Sequence, residues 1–88
     1  MKWGVFKMLP PLPENRIPAA RRIAGHRHDV LTKAGFVPTD VTSSNALYEH
    51  PEKGDVYLGG MWRHVSPSGV EKEGRTDEEL QKHLASLE

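Results

Sequence analysis

Ala46-Leu47-Tyr48-Glu49-His50, followed by Pro51-Glu52-Lys53-Gly54 and then Asp55-Val56-Tyr57-Leu58-Gly59, is the stretch on which the fold turns. Two runs rich in aliphatic and aromatic residues, joined by a tetrapeptide that begins with proline and ends with glycine, read as a β-hairpin. The same pattern extends outward on both sides. Upstream, the β-branched residues Val37, Thr39, Val41 and Thr42 lead into the polar turn Ser43-Ser44-Asn45. Downstream, Met61–Ser66 reads as a further strand, because Ser66-Pro67-Ser68-Gly69 has proline second and glycine last, as a type I turn prefers. Val70–Glu73 returns from that turn.

Helical patterns flank the strands. Pro18 suits a first helical turn, and a helix running to Lys33 or Ala34 would end at Gly35 as its left-handed cap, with Phe36 packing back. At 100° per residue, Ala20, Ile23, Ala24, Val30, Leu31 and Ala34 fall on one side of it, and Arg22, Asp29 and Lys33 fall opposite. Gly25 lies on the outer side, at a cost of about 1 kcal/mol relative to alanine. The closing helix is announced by Thr76 with Glu79 three residues on, a capping box, and its inward stripe is Leu80, Leu84 and Leu87. The expected fold is therefore α+β: a helix, three to four antiparallel strands and a helix, with both helices on one face of the sheet.

Residues 1–16 read as an N-terminal arm with a proline-rich spacer, and 17–88 as a single α+β domain. Trp3 and Val5 alternate with their neighbours in a way that allows a short strand over residues 2–8. Leu9-Pro10-Pro11-Leu12-Pro13 is barred from a helix and is expected to be extended polyproline II. With Lys7 it matches the basic-x-x-Pro-x-x-Pro ligands of SH3-type grooves, and equally a rigid strap tying the arm to the body.

A chain of 88 residues fits one core. The absence of cysteine excludes a disulfide framework, a thiolate nucleophile and a cysteine-based zinc site, and suits a reducing compartment. The opening apolar stretch is interrupted by Gly4 and Lys7 and runs into proline, so neither a signal peptide nor a membrane span is expected, and the chain reads as cytoplasmic. The net charge of zero hides an asymmetry: residues 1–34 carry seven Lys/Arg against two acidic residues, whereas the remainder carries five against ten. Such a split gives a basic face suited to a nucleic acid or an acidic partner, or lets the two halves attract each other.

Arg27 is the least ordinary residue of the first helix, because it falls at the centre of the apolar side, where an unpaired guanidinium is costly. Pairing with an acid from the C-terminal half, snorkelling from the helix edge and service on a partner-binding surface all account for it. His26 and His28, two apart on a helix, point too far from each other to share a metal ion unless the helix breaks at Gly25, and neither metal nor cofactor is expected. Tyr48, Tyr57, Trp62 and His64 form either a stacking surface for bases or the half-buried aromatic residues of a sheet. Asp55 with His50 across the hairpin is a conceivable general acid and orienting group. GxSxG, P-loop, GxGxxG and HExxH patterns are all missing, so no catalytic residue is assigned.

Leu31-Thr32-Lys33-Ala34-Gly35-Phe36, the turn Ser43-Ser44-Asn45, Leu47-Tyr48-Glu49-His50-Pro51 and the helix from Thr76 resemble the HicA-type mRNA-interferase toxins and the wider double-stranded-RNA-binding-like fold. The likeness covers residues 30–87 in layout and implies that fold. The family's catalytic histidine follows a Gly-Ser at the turn into the second strand, where this chain has Asn45, which cannot act as a general base; no catalytic residue carries over.

The expected function is that of a small non-enzymatic binding module, a regulator or inhibitor of the phage or mobile-element kind, acting through a protein partner. The alternative is a nucleic-acid-binding domain that sets Arg21, Arg22, Arg27 and Lys33 against phosphates; an RNase using His50 or His64 comes third. Residues expected to bind a protein or nucleic acid are Arg21, Arg22, Arg27, Lys33, Tyr48, Tyr57, Trp62 and His64. No membrane partner is expected, and the chain would be a monomer or a homodimer formed by strand addition.

Overall fold

The computed structural model describes residues 8–87, so the expected strand over residues 2–8 lies almost wholly outside the described residues. A 3-10 turn, Glu14–Arg16, leads into helices α1, Ile17–Ala24, and α2, His26–Lys33. Five strands follow: β1 Val37–Val41, β2 Ala46–His50, β3 Gly54–Leu58, β4 Trp62–Val65 and β5 Glu71–Gly74, before helix α3, Asp77–Ala85. The strands form one antiparallel sheet in the order β1-β2-β3-β4-β5, each paired to its neighbour in sequence.

The α+β reading stands, with five strands in place of three to four. The fifth is β5, expected only as the return of Val70–Glu73 from the Ser66–Gly69 turn; its Glu-Lys-Glu-Gly sequence contains no apolar residue. Backbone pairing to β4 makes it a strand, and its charges suit an edge, where they discourage pairing with another sheet.

The single helix expected from Pro18 to Lys33 is two. Gly25 breaks it, with φ 59° and ψ −135°, a conformation that side-chain-bearing residues avoid. Its N–H still closes α1 on the Arg21 carbonyl, while its own carbonyl accepts from His28 N. The far end behaves as expected: Gly35, at φ 93°, caps α2, Phe36 N donates to Leu31 O, Gly35 N donates to Thr32 O, and Phe36 is buried. At α3 both halves of the capping box are present, Glu79 N donating to Thr76 Oγ1 and Thr76 N to Glu79 Oε1.

Register sorts the sheet's side chains into two faces. Ala46, Leu58, Trp62 and Gly74 form one inner row across β2 to β5, and Tyr48, Val56, His64 and Lys72 form the next. Ala46, Tyr48, Val56, Leu58 and Trp62 are buried together with Ala20, Ala24, Val30, Leu31, Phe36, Leu80 and Leu84 of the helical segments and the turn after α2. Close approach also explains the glycine in β5: a Cβ on Gly74 would lie 2.3 Å from the Trp62 ring. Trp62 itself donates from Nε1 to Thr76 O at 3.0 Å, which ties the core to the start of α3.

The proline-rich segment packs on β1. Pro13 has polyproline II angles, φ −64° and ψ 155°, Leu12 N donates to Pro38 O at 3.0 Å, and the Leu12 side chain rests on the core. Pro38 is tolerated because β1 is an edge strand.

Candidate functional site

The register turns two rows of side chains outward. Asp40, Leu47, Tyr57, Arg63 and Glu73 are cross-strand neighbours that run from β1 to β5. Glu49, Asp55, Val65 and Glu71 form the adjoining row. At the centre of the first row the Arg63 guanidinium carbon stands 5.1 Å from the centroid of the Tyr57 ring, a cation–π contact. Arg63 also reaches Glu71 at 3.5 Å, an exposed pair that contributes little. Tyr57 and Met61 remain 40% and 41% exposed. Together with Asn45, Gly59, Gly60 and Glu73 they line an open depression of about 560 Å³ beside the β3–β4 turn. Gly59 is confined there, since a Cβ would meet the Asn45 side chain at 2.4 Å.

The adjoining row is buried at one point. Glu49 is 3% exposed and accepts from Leu9 N at 2.9 Å and from Thr39 Oγ1 at 2.8 Å. The irregularity in β1 between Pro38 and Asp40 gives Thr39 this place. Asp55, directly across from Glu49, has one buried carboxyl oxygen without a hydrogen-bond partner among the described residues. Burial, and then the Glu49 charge, push its pKa up to about 6.

On the inner face, groups that a sequence presents as reactive are engaged in holding the fold. His28 Nδ1 and the Tyr48 hydroxyl are hydrogen-bonded and both residues are buried, which joins α2 to the sheet. Burial raises the Tyr48 pKa to about 12 and, with Arg21 nearby, lowers that of His28. His64 bonds through Nε2 to Lys53 O at 2.6 Å and through Nδ1 to His83 Nε2 at 2.8 Å, which joins α3 to the sheet. The His83 ring stacks on Trp62 at 5.6 Å with an interplanar angle of 22°.

These placements correct the stacking-surface expectation for three residues. Tyr48 and Trp62 are fully buried and His64 is 2% exposed, so no base can lie on them; of the four, Tyr57 alone offers an accessible ring. Among the basic candidates, Arg21, Arg22 and Lys33 are exposed. Arg27 is a clamp: its Nε meets Asp77 Oδ1 at 2.7 Å and its Nη2 donates to Arg75 O at 2.8 Å, so the acid from the C-terminal half is Asp77. The suggested pairing of His50 with Asp55 is not formed. His50 lies on the Tyr48 side of the sheet, and its Nδ1 accepts from Glu52 N and Lys53 N at 3.0 and 3.1 Å, whereas Asp55 belongs to the opposite face. The break at Gly25 leaves His26 exposed and His28 buried. No group of three or more His, Asp or Glu among the described residues could hold a metal ion, and no described helix is long and apolar enough to cross a membrane.

Sequence reasoning overlooked Arg63, Met61 and His83. Alternation through the Gly59-Gly60 turn contains the signal for Arg63, since it places residues 57 and 63 on one face, but only once the register is known. Nothing local marks His83, whose partner lies nineteen residues away. Compared with protein-family models, curated proteins and solved structures, the chain gives no match.

Proposed function

We propose that the chain is a small non-enzymatic module that binds a protein partner through the outer face of its sheet, with the helices serving the other face. The observation that carries this reading is the Tyr57–Arg63 stack, exposed beside Met61 at the rim of a depression. Tyrosine and arginine supply much of the energy of protein interfaces, and methionine adapts to irregular surfaces. Asp40, Glu71 and Glu73 are exposed around the stack. The partner therefore presents an apolar side chain to the depression, with basic groups around it.

The nucleic-acid alternative rests on a separate observation. Arg16, Arg21 and Arg22 lie exposed on the first helical segment, and the ion pairs among the described residues involve none of them. This reading takes phosphates to the helices, since the acidic outer face repels them. The likeness to HicA-type toxins belongs with it, as a proposal about ancestry and fold.

One experiment separates the two. A mixed pool of short RNA and DNA is titrated at low and moderate salt, with strand length read on the same samples, while immobilised protein is used to capture partners. The protein-partner reading expects no salt-sensitive nucleic-acid binding, and a captured protein that is lost with Tyr57→Ala plus Arg63→Ala but kept with Arg21→Ala plus Arg22→Ala. Steeply salt-dependent binding that disappears with the helix arginines would overturn it, and strand cleavage would overturn the non-enzymatic assignment.

A further inference from the structure

Leu9-Pro10-Pro11-Leu12-Pro13 serves the fold along one edge only. Proline rings fix φ at about −65° at positions 10, 11 and 13, and residues 9, 10 and 12, each followed by proline, are kept extended. The result is a polyproline II segment, which Pro13 shows directly at φ −64° and ψ 155°. With about three residues per turn, Leu9 and Leu12 share one edge, Pro10 and Pro13 a second, and Pro11 lies on the third. Leu12 rests on the core, whereas Pro10, Pro11 and Pro13 are all exposed.

Hydrogen bonding divides the segment in the same way. Proline has no N–H, so Leu9 and Leu12 carry its only backbone donors. Both are spent on the body: Leu9 N donates to Glu49 Oε1 at 2.9 Å, and Leu12 N to Pro38 O at 3.0 Å. The Pro13 carbonyl accepts from Arg16 N at 2.8 Å, but no hydrogen bond among the described residues uses the carbonyls of the exposed Leu9, Pro10 or Pro11. Outward, the segment offers proline rings and a run of acceptors, with no donor. The two tethers hold it extended before any partner arrives, so docking costs little further chain entropy.

We propose that residues 9–13 are a docking surface for a protein domain that reads polyproline II through a groove lined with Trp and Tyr, the proline rings seating between the aromatic side chains and the Pro10 and Pro11 carbonyls accepting their N–H and O–H groups. The exposed chemistry selects this partner. Rings need flat apolar surfaces and carbonyls need donors; tryptophan and tyrosine supply both from one side chain. Grooves lined by aromatic residues are how SH3 and WW domains hold proline-rich segments. Lys7, the basic residue of the sequence pattern, lies outside the described residues and is not needed for these contacts. This surface goes beyond the outer sheet face: it contains neither Tyr57 nor Arg63, so either can fail without the other.

The test uses the full chain, labelled with nitrogen-15 and titrated with two isolated probes, a WW domain and an SH3 domain that each bind proline-rich peptides. The expected result is saturable binding by at least one probe, with the amide signals of Leu9, Leu12 and Glu14 displaced and those of Tyr57, Met61 and Arg63 unmoved. Pro10→Ala plus Pro11→Ala removes two exposed rings, and is expected to weaken binding at least about tenfold while the amide spectrum of the sheet stays that of wild type. Tyr57→Ala plus Arg63→Ala is expected to bind the probe as wild type does. Absence of saturable binding by both probes, binding that survives the proline substitutions, or displacement at the outer face in place of the segment would each overturn the proposal.

Discussion

The two faces of one five-stranded sheet use similar residue types to opposite ends. Inward, Tyr48, Trp62 and His64 are closed off by His28, Thr76 and His83, each through a named hydrogen bond or stack. Outward, Tyr57 and Arg63 rest on each other with their surfaces still open. Tyr48, Trp62 and His64 face inward and Tyr57 and Arg63 outward, and a shift of one position decides whether such a residue joins a helix to the sheet or stays exposed. The lesson is that a polar aromatic cluster read along a sequence has to be divided by register before any of it is assigned to binding.

The largest effect that can break this division is in the core. Trp62→Ala removes a fully buried ring that bonds to Thr76 and supports His83, and is expected to cost about 3–5 kcal/mol in urea unfolding. If the loss were under about 1 kcal/mol, Trp62 would not be the structural residue described here. Next comes Arg27→Ala, which frees Asp77 and the Arg75 carbonyl at the start of α3. A cost of about 2 kcal/mol is expected by the same assay, below that of a deeply buried pair because the Asp77 side chain is 37% exposed. Arg27→Ala without any loss would return this residue to the set available for binding.

Asp55→Asn sharpens the outer row. The wild-type carboxyl has its pKa raised to about 6, against 3.8 ordinarily, so the folded state holds the proton more tightly than the unfolded one. Its stabilising contribution is present below about pH 4 and is lost as the pH rises through about 6. The variant is therefore expected to be more stable than wild type above pH 7, by on the order of 1 kcal/mol. Relative to the variant, wild type should lose stability between about pH 4 and 6. Reading the difference matters, because His28, His50 and His83 have lowered pKa values and act in the other sense: their contribution is present above pH 6.5 and lost below it. The smallest effect is that of Tyr57→Ala, which is expected to leave stability within about 0.5 kcal/mol of wild type.

Much of the fold was legible, and its failures have local causes. The hairpin of β2 and β3, the return through Ser66–Gly69 and the cap at Thr76 follow from turn and cap residues whose geometry is dictated within four positions. Gly25 was visible as a weak point in a helix, yet the break depends on a ψ of −135° that periodicity does not encode. β5 was legible only as the return from the Ser66–Gly69 turn, since its own residues are not apolar and β4 supplies its pairing. Arg27 was singled out because it sits on an apolar helix face, and the structure supplies its acid. The candidate site was harder to see, since Tyr57 with Arg63 and His64 with His83 are pairs that exist only after the register and the docking of α3 are set.

The central claim is that the outer face binds and the inner face holds. It is tested most directly by comparing wild type with the Tyr57→Ala/Arg63→Ala double variant in one paired measurement of urea midpoint and of the dissociation constant for the captured partner. The account expects coincident midpoints within about 0.5 kcal/mol and binding weakened at least a hundredfold, about 2.7 kcal/mol. Undiminished binding by a variant that folds as wild type does would contradict it and move the contact surface to the arginines of the first helical segment.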